Sequence, residues 1–133
     1  MSELVDFAKR YADAWYNQDP NKVAEFFAEN GSISINDGSP AIGRAAIARE
    51  AQSFMTTFPD MIVTFDKLEP RGDAIAFHGT LIGTNSGPCG SGNRVRISGY
   101  ELWKFGNNGL IAESKGHFDS AEYERQLKYG VDR

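Results

Sequence analysis

Apolar residues recur at Leu4, Ala8, Tyr11 and Trp15, the spacing of a helix with one buried stripe. Asn17-Gln18 breaks that pattern. Asp19 then suits an N-cap and Pro20 the first helical position, and Val23, Phe26 and Phe27 supply the apolar side of a second, short helix ended by Asn30-Gly31. Residues 32–36 alternate Ile33 and Ile35 with polar neighbours and predict a short strand, followed by an Asp37-Gly38-Ser39-Pro40 turn. A third helix is predicted over 43–57, with Ile47, Ala51, Phe54 and Met55 on its core face. From Pro59 onward the period changes to two. Strands are predicted over 61–68, 74–83, 94–105 and 110–119, separated by Pro70-Arg71-Gly72-Asp73, the glycine-rich 85–93 and Gly106-Asn107-Asn108-Gly109. Each separator is compatible with a hairpin, which predicts an antiparallel meander. A last helix over 120–129 ends at Gly130. Helices first and a long sheet afterwards is an α+β pattern, read as a single domain over 1–133. Helices must cover one face of such a sheet, and curvature can leave a cavity between them.

Composition narrows the function classes. A formal charge of -4 argues against nucleic acid, whose phosphates need a basic surface. No apolar run approaches the ~20 residues that span a bilayer, and the N-terminus lacks a basic-then-apolar leader pattern. One cysteine, Cys89, cannot form an internal disulfide, which predicts a cytoplasmic setting. With Cys89, His78 and His117 as the soft ligands, neither a metal site nor a cofactor is expected. The 86–93 stretch has glycines but no GK[ST] and no following helix, so it is not a phosphate loop.

The candidate chemistry sits in the final predicted strand. Alternation puts Lys115, His117 and Asp119 on one face. If that face lines a pocket, Asp119 is an acid/base group that burial can lift toward neutrality, with His117 orienting it or serving as base. If the face is outside, Asp119 followed by Glu122 is a capping box for the last helix. Glu101 and Trp103 share a face of the preceding strand; Glu101 is either a second pocket carboxylate or a cross-strand partner of a cation. Lys115 can pair with Glu101 or Asp119, and pairing with Asp119 lowers that acid's pKa and makes it a poorer base. His78 and Thr80 share a side of their strand and are candidate polar pocket groups. Trp15, Phe54, Phe58 and Trp103 are candidate apolar lining, with ordinary core as the alternative.

The order of elements, together with Trp15, Phe58-Pro59-Asp60, Gly72-Asp73, Thr80-Leu81-Ile82-Gly83-Thr84, Ser98-Gly99-Tyr100-Glu101-Leu102-Trp103-Lys104-Phe105, Glu113 and Asp119, resembles the SnoaL-like polyketide cyclases. These are a branch of the superfamily of nuclear transport factor two and ketosteroid isomerase. The resemblance implies a cone-shaped, cystatin-like α+β fold, with N-terminal helices packed on a curved, mainly antiparallel sheet enclosing a cavity. It also implies that Asp119 matches the family's acid/base carboxylate. The chain departs from the family at Asn85, where a His is usual, and at Lys115, where a Trp is usual; a charged amine in place of an indole changes the pocket's polarity and argues against a polyaromatic substrate. The expectation is a cofactor-independent acid/base enzyme for a small hydrophobic carbonyl compound, closing an aldol like a polyketide cyclase or isomerising like a ketosteroid isomerase. The alternatives are a non-catalytic binding protein for a hydrophobic small molecule in the same cavity, and a protein-interaction module. A homodimer through the outer sheet face is expected.

Overall fold

The computed structural model describes residues 2–131. Its elements run α1 (Ser2–Tyr16), α2 (Pro20–Glu25), β1 (Phe27–Ile35), β2 (Ala41–Ile42), α3 (Arg44–Thr57), β3 (Ile62–Arg71), β4 (Ala74–Thr84), β5 (Arg94–Phe105), β6 (Ile111–Phe118) and α4 (Ser120–Tyr129). The six strands form one sheet in the order β2-β1-β6-β5-β4-β3. The meander β3-β4-β5-β6 is antiparallel throughout, as the hairpin-compatible separators predict. β1 joins it parallel to β6, so the sheet is mixed. Helices α1, α3 and α4 pack against β3, β1 and β5, respectively.

Local chemistry sets the element ends. The Asp19 side chain accepts from the Lys22 N–H and caps α2, whose first residue is Pro20. That helix ends earlier than the apolar pattern suggests. Phe27 belongs to β1, where it is fully buried opposite Ile111, because pairing with β6 offers its backbone a ladder that a six-residue helix cannot. The two-residue β2 carries no periodic signal and escapes the sequence pattern.

An aromatic knot fills the core between α1 and the sheet. Phe77 and Trp103 stack at 4.9 Å, and Tyr11 stands edge-on to Trp103 at 5.2 Å and to Phe77 at 5.4 Å. The Phe58-Pro59-Asp60 motif is structural. Phe58 is fully buried against Gly83, where an added Cβ would come within 3.0 Å of it, and Asp60 accepts from both the backbone N–H and the hydroxyl of Thr84. Phe58, a candidate lining residue by sequence, is therefore core that pins the start of β3 to the end of β4.

Candidate active site

Strand alternation on β5 sends Val95, Ile97, Gly99, Glu101 and Trp103 toward the helices and Arg96, Ser98, Tyr100 and Leu102 away from them. Glu101 is the lone carboxylate in that inward row. It lies between Phe77 on β4 and Gly116 on β6, and beside it the Gly79–Gly99 pair carries no side chains. Three inward glycines, at 79, 99 and 116, thus leave bare sheet around one acid. A cavity of about 140 Å³ occupies the space, close to the ~150 Å³ known to hold a benzene molecule. It is open to solvent. Trp15 of α1, Glu50 and Phe54 of α3, Ile33 and Ile35 of β1, Val63 of β3 and Tyr123 of α4 close the other walls.

Three donors converge on Glu101. Its Oε1 accepts from the Tyr11 hydroxyl at 3.0 Å, the Trp103 Nε1–H at 3.0 Å and the Ser114 hydroxyl at 2.8 Å. Its Oε2 has only the longer contact to the same Tyr11 hydroxyl, at 3.2 Å, and so keeps lone pairs free. Tyr11, Trp103 and Ser114 are all fully buried. Glu101 is half-buried and lines the cavity. Burial raises the Glu101 pKa above the ordinary value, and the bonds from Trp103, Ser114 and Tyr11 hold it back without cancelling the rise. No cation offsets the burial: among the described residues no Lys or Arg lines the cavity. Burial also raises the Tyr11 hydroxyl well above the usual phenol range, with the Glu101 charge adding to it, so Tyr11 remains a donor. The arrangement is a carboxyl group that can carry or give up a proton beneath an apolar chamber.

The candidates read from sequence divide into three groups. Trp15, Phe54 and Glu101 line the cavity, while Trp103 lies beneath it and braces Glu101. Asp119 does not line the cavity. It is exposed, and its side chain accepts from the Glu122 N–H at 3.1 Å as the N-cap of α4, which corrects the acid/base placement in favour of the cap. His117, Lys115, His78 and Thr80 sit on the sheet face opposite Glu101. The His117 ring packs on Tyr100, His78 bonds Glu69 at 3.0 Å, and Thr80 bonds Asp66 at 2.7 Å and Ser98 at 2.8 Å. His117 and Thr80 border the cavity where the glycines bare the main chain, but alternation turns their side chains away. Lys115 is exposed there and meets neither carboxylate proposed for it. Pairing decides the outcome: Glu101 faces Gly116, so from Glu113 onward, past the register shift in β6, the even-numbered residues point inward and the odd ones outward.

Sequence reasoning missed Tyr11 as a ligand of the acid, Ser114 as its third donor, Glu50 as a second lining carboxylate and the glycine floor. One signal was available, since Glu101 is the only charged residue in an alternating row that is otherwise Val, Ile, Gly, Trp and Phe. Among the described residues no group of three or more His, Cys, Asp or Glu is placed to hold a metal, and no helix is long and apolar enough to cross a membrane.

Solved structures repeat this architecture. A SnoaL-like protein of Jannaschia sp. CCS1 superposes with a TM-score of 0.82 at 17% identity, over 98% of this chain and 94% of its own. A protein of ketosteroid isomerase-like fold from Catenulispora acidiphila DSM 44928, in complex with trimethylamine, gives 0.78 at 18% identity, over 91% of each chain. The epoxide hydrolase/cyclase-like enzyme SalBIII, of pyran ring formation in the polyether salinomycin, gives 0.76 at 18% identity, over 91% of this chain and 94% of its own. At such identities the likeness is one of fold. No curated protein matches the chain. The profile of the SnoaL-like polyketide cyclases matches residues 5–127, nearly the whole sequence, and agrees with the cone of helices and mixed sheet found around the cavity. The chain therefore belongs to the SnoaL-like polyketide cyclase family, within the fold group of nuclear transport factor two and ketosteroid isomerase.

Proposed function

We propose that this protein is a cofactor-independent acid/base catalyst for a small, largely apolar carbonyl compound, with Glu101 as the proton-transferring group. One observation carries the reading: a carboxyl group with a raised pKa and no cationic partner among the described residues lies at the floor of an apolar cavity, one oxygen held by three donors and the other by a single longer contact. In the proposed step Glu101 Oε2 takes the proton from a carbon α to the carbonyl. The C–H electron pair moves into the enolate, and the proton is returned to the alkoxide of an aldol closure or to another carbon of an isomerised enone. Transfer by a positioned group of this kind is worth roughly 10²–10⁴-fold in rate. Tyr11, Trp103 and Ser114 are positioning residues that hold Oε1 and so aim Oε2. The family and the cyclase-like neighbour are compatible with this chemistry.

The test is proton exchange. A panel of small aryl and cyclic ketones in D₂O, followed by NMR, should show enzyme-accelerated deuterium wash-in at the α carbon for the wild type. Glu101→Gln should lose it and Asp119→Asn should keep it. Loss in Asp119→Asn with retention in Glu101→Gln would reverse the assignment. Binding of the ketones without exchange in any variant would favour the second reading, a non-catalytic carrier of a hydrophobic small molecule, which the carbon-rich lining equally suits. The same proposal includes a cytoplasmic protein, consistent with the one free cysteine, Cys89, and a homodimer through the outer sheet face, where Ile62 is exposed.

A further inference from the structure

The cavity has a charge pattern that the proton-transfer reading does not use. Among the described residues two carboxylates line it, Glu101 on the sheet and Glu50 on α3, and no Lys or Arg does. Glu101 is held by three donors. Glu50 has no hydrogen bond or ion pair among the described residues. Its place on the helix matters. Phe54 is four residues on, so the two side chains share a face of α3, and Phe54 in turn meets Trp15 edge-on at 6.2 Å. An unpaired carboxylate beside two aromatic rings in an open cavity supplies both attractions that a protonated amine needs, an ion pair and contact with electron-rich ring faces. It offers nothing to a carboxylate or phosphate, which would meet two acids in a chain of net charge -4.

We infer that Glu50 is a specificity-determining residue: the substrate is a ketone whose carbonyl end reaches Glu101 and whose opposite end carries a protonated amine beside Glu50, Phe54 and Trp15. The inference rests on the cavity being the substrate site, and it assigns the two lining acids separate tasks. Glu101 handles protons, and Glu50 reads charge.

Three matched probes test it by calorimetric titration of the full chain: acetophenone, 4-(aminomethyl)acetophenone and 4-acetylbenzoate. At neutral pH and low salt the aminomethyl ketone should bind the wild type about three- to ten-fold tighter than the neutral ketone, the range of a partly exposed ion pair with ring contact, and the benzoate should bind weakest. Added salt should narrow the gap by screening. Glu50→Gln should bring the cationic and neutral probes to equal affinity, and Glu50→Lys should put the benzoate first. Because position 50 is a partly exposed helix site, both variants should keep the wild-type circular dichroism. Equal affinities of cationic and neutral probes for the wild type, or an unchanged ratio in Glu50→Gln, would overturn the inference. Failure of all three to bind would overturn it as well, together with the choice of cavity. Amine preference without deuterium exchange would uphold the charge selection and remove the catalytic reading. Exchange without amine preference would do the reverse.

Discussion

Replacing Glu101 two ways separates its roles in folding and chemistry. Glu101→Ala removes the acceptor of Tyr11, Trp103 and Ser114 and leaves three fully buried donors without a partner. Each such orphan costs about 1–3 kcal/mol. Water entering through the open cavity recovers part of this, and removing a carboxylate from a buried site returns some desolvation energy. A net loss of about 2–4 kcal/mol is expected. Glu101→Gln keeps an oxygen for all three donors and removes the charge, so its loss at neutral pH should be near zero or negative. The sign of the pH dependence follows from the raised pKa. Between the 4.5 of an ordinary Glu and the higher folded value, the folded protein holds a proton that the unfolded chain has released. Wild-type stability therefore falls relative to that of Glu101→Gln as pH rises through that window. Urea unfolding followed by tryptophan fluorescence at pH 4 and pH 8 measures all three quantities. Glu101→Ala within about 0.5 kcal/mol of the wild type, below a single lost buried bond, would refute the account of the anchored carboxylate. So would a Glu101→Gln penalty matching that of Glu101→Ala.

Other perturbations test neighbouring parts of the account. A Cβ at Gly116 would meet only ordinary contacts, 3.5 Å from the Ser34 carbonyl and 3.8 Å from Glu101 Cγ, so Gly116→Ala should fold normally but weaken ketone binding in a titration. At Gly99 the same atom would lie 2.5 Å from the His117 carbonyl, so Gly99→Ala should lower the melting temperature. Asp119→Ala should cost about 1 kcal/mol in urea unfolding, as a lost cap, and leave deuterium exchange unchanged. Glu122 is held at about 2 by hydrogen bonds from Arg125 and Gln126. Its contribution is present above 4.5 and disappears as pH falls from 4.5 toward about 2, so an acid titration of stability should lose part of its low-pH limb in Glu122→Gln.

The sequence made the large features legible because they are local. The stripe of Ala8, Tyr11 and Trp15, the Asp19-Pro20 start of α2 and the hairpin separators act within a few residues, and the structure places α1, α2 and the meander accordingly. Features that depend on pairing were not legible. Period two assigns Lys115 and His117 to one face but cannot say which face the helices cover, and the Glu101–Gly116 register settles that. The same pairing draws Phe27 out of a helical pattern into β1. Asp119 satisfied both descriptions offered for it, because a strand end and a helix start look alike until the cap bond to Glu122 is seen. Glu101 was visible as a polar interruption of an apolar row. Its partner Tyr11, 90 positions away, was not.

Direct titration of the Glu101 carboxyl carbon by ¹³C NMR, using glutamate-labelled protein and Glu101→Gln for assignment, bears most closely on the central claim. The account predicts a midpoint above 4.5 and a change in the resonance when a ketone fills the cavity. A midpoint at or below 4.5, or a resonance indifferent to bound ketone, would contradict it.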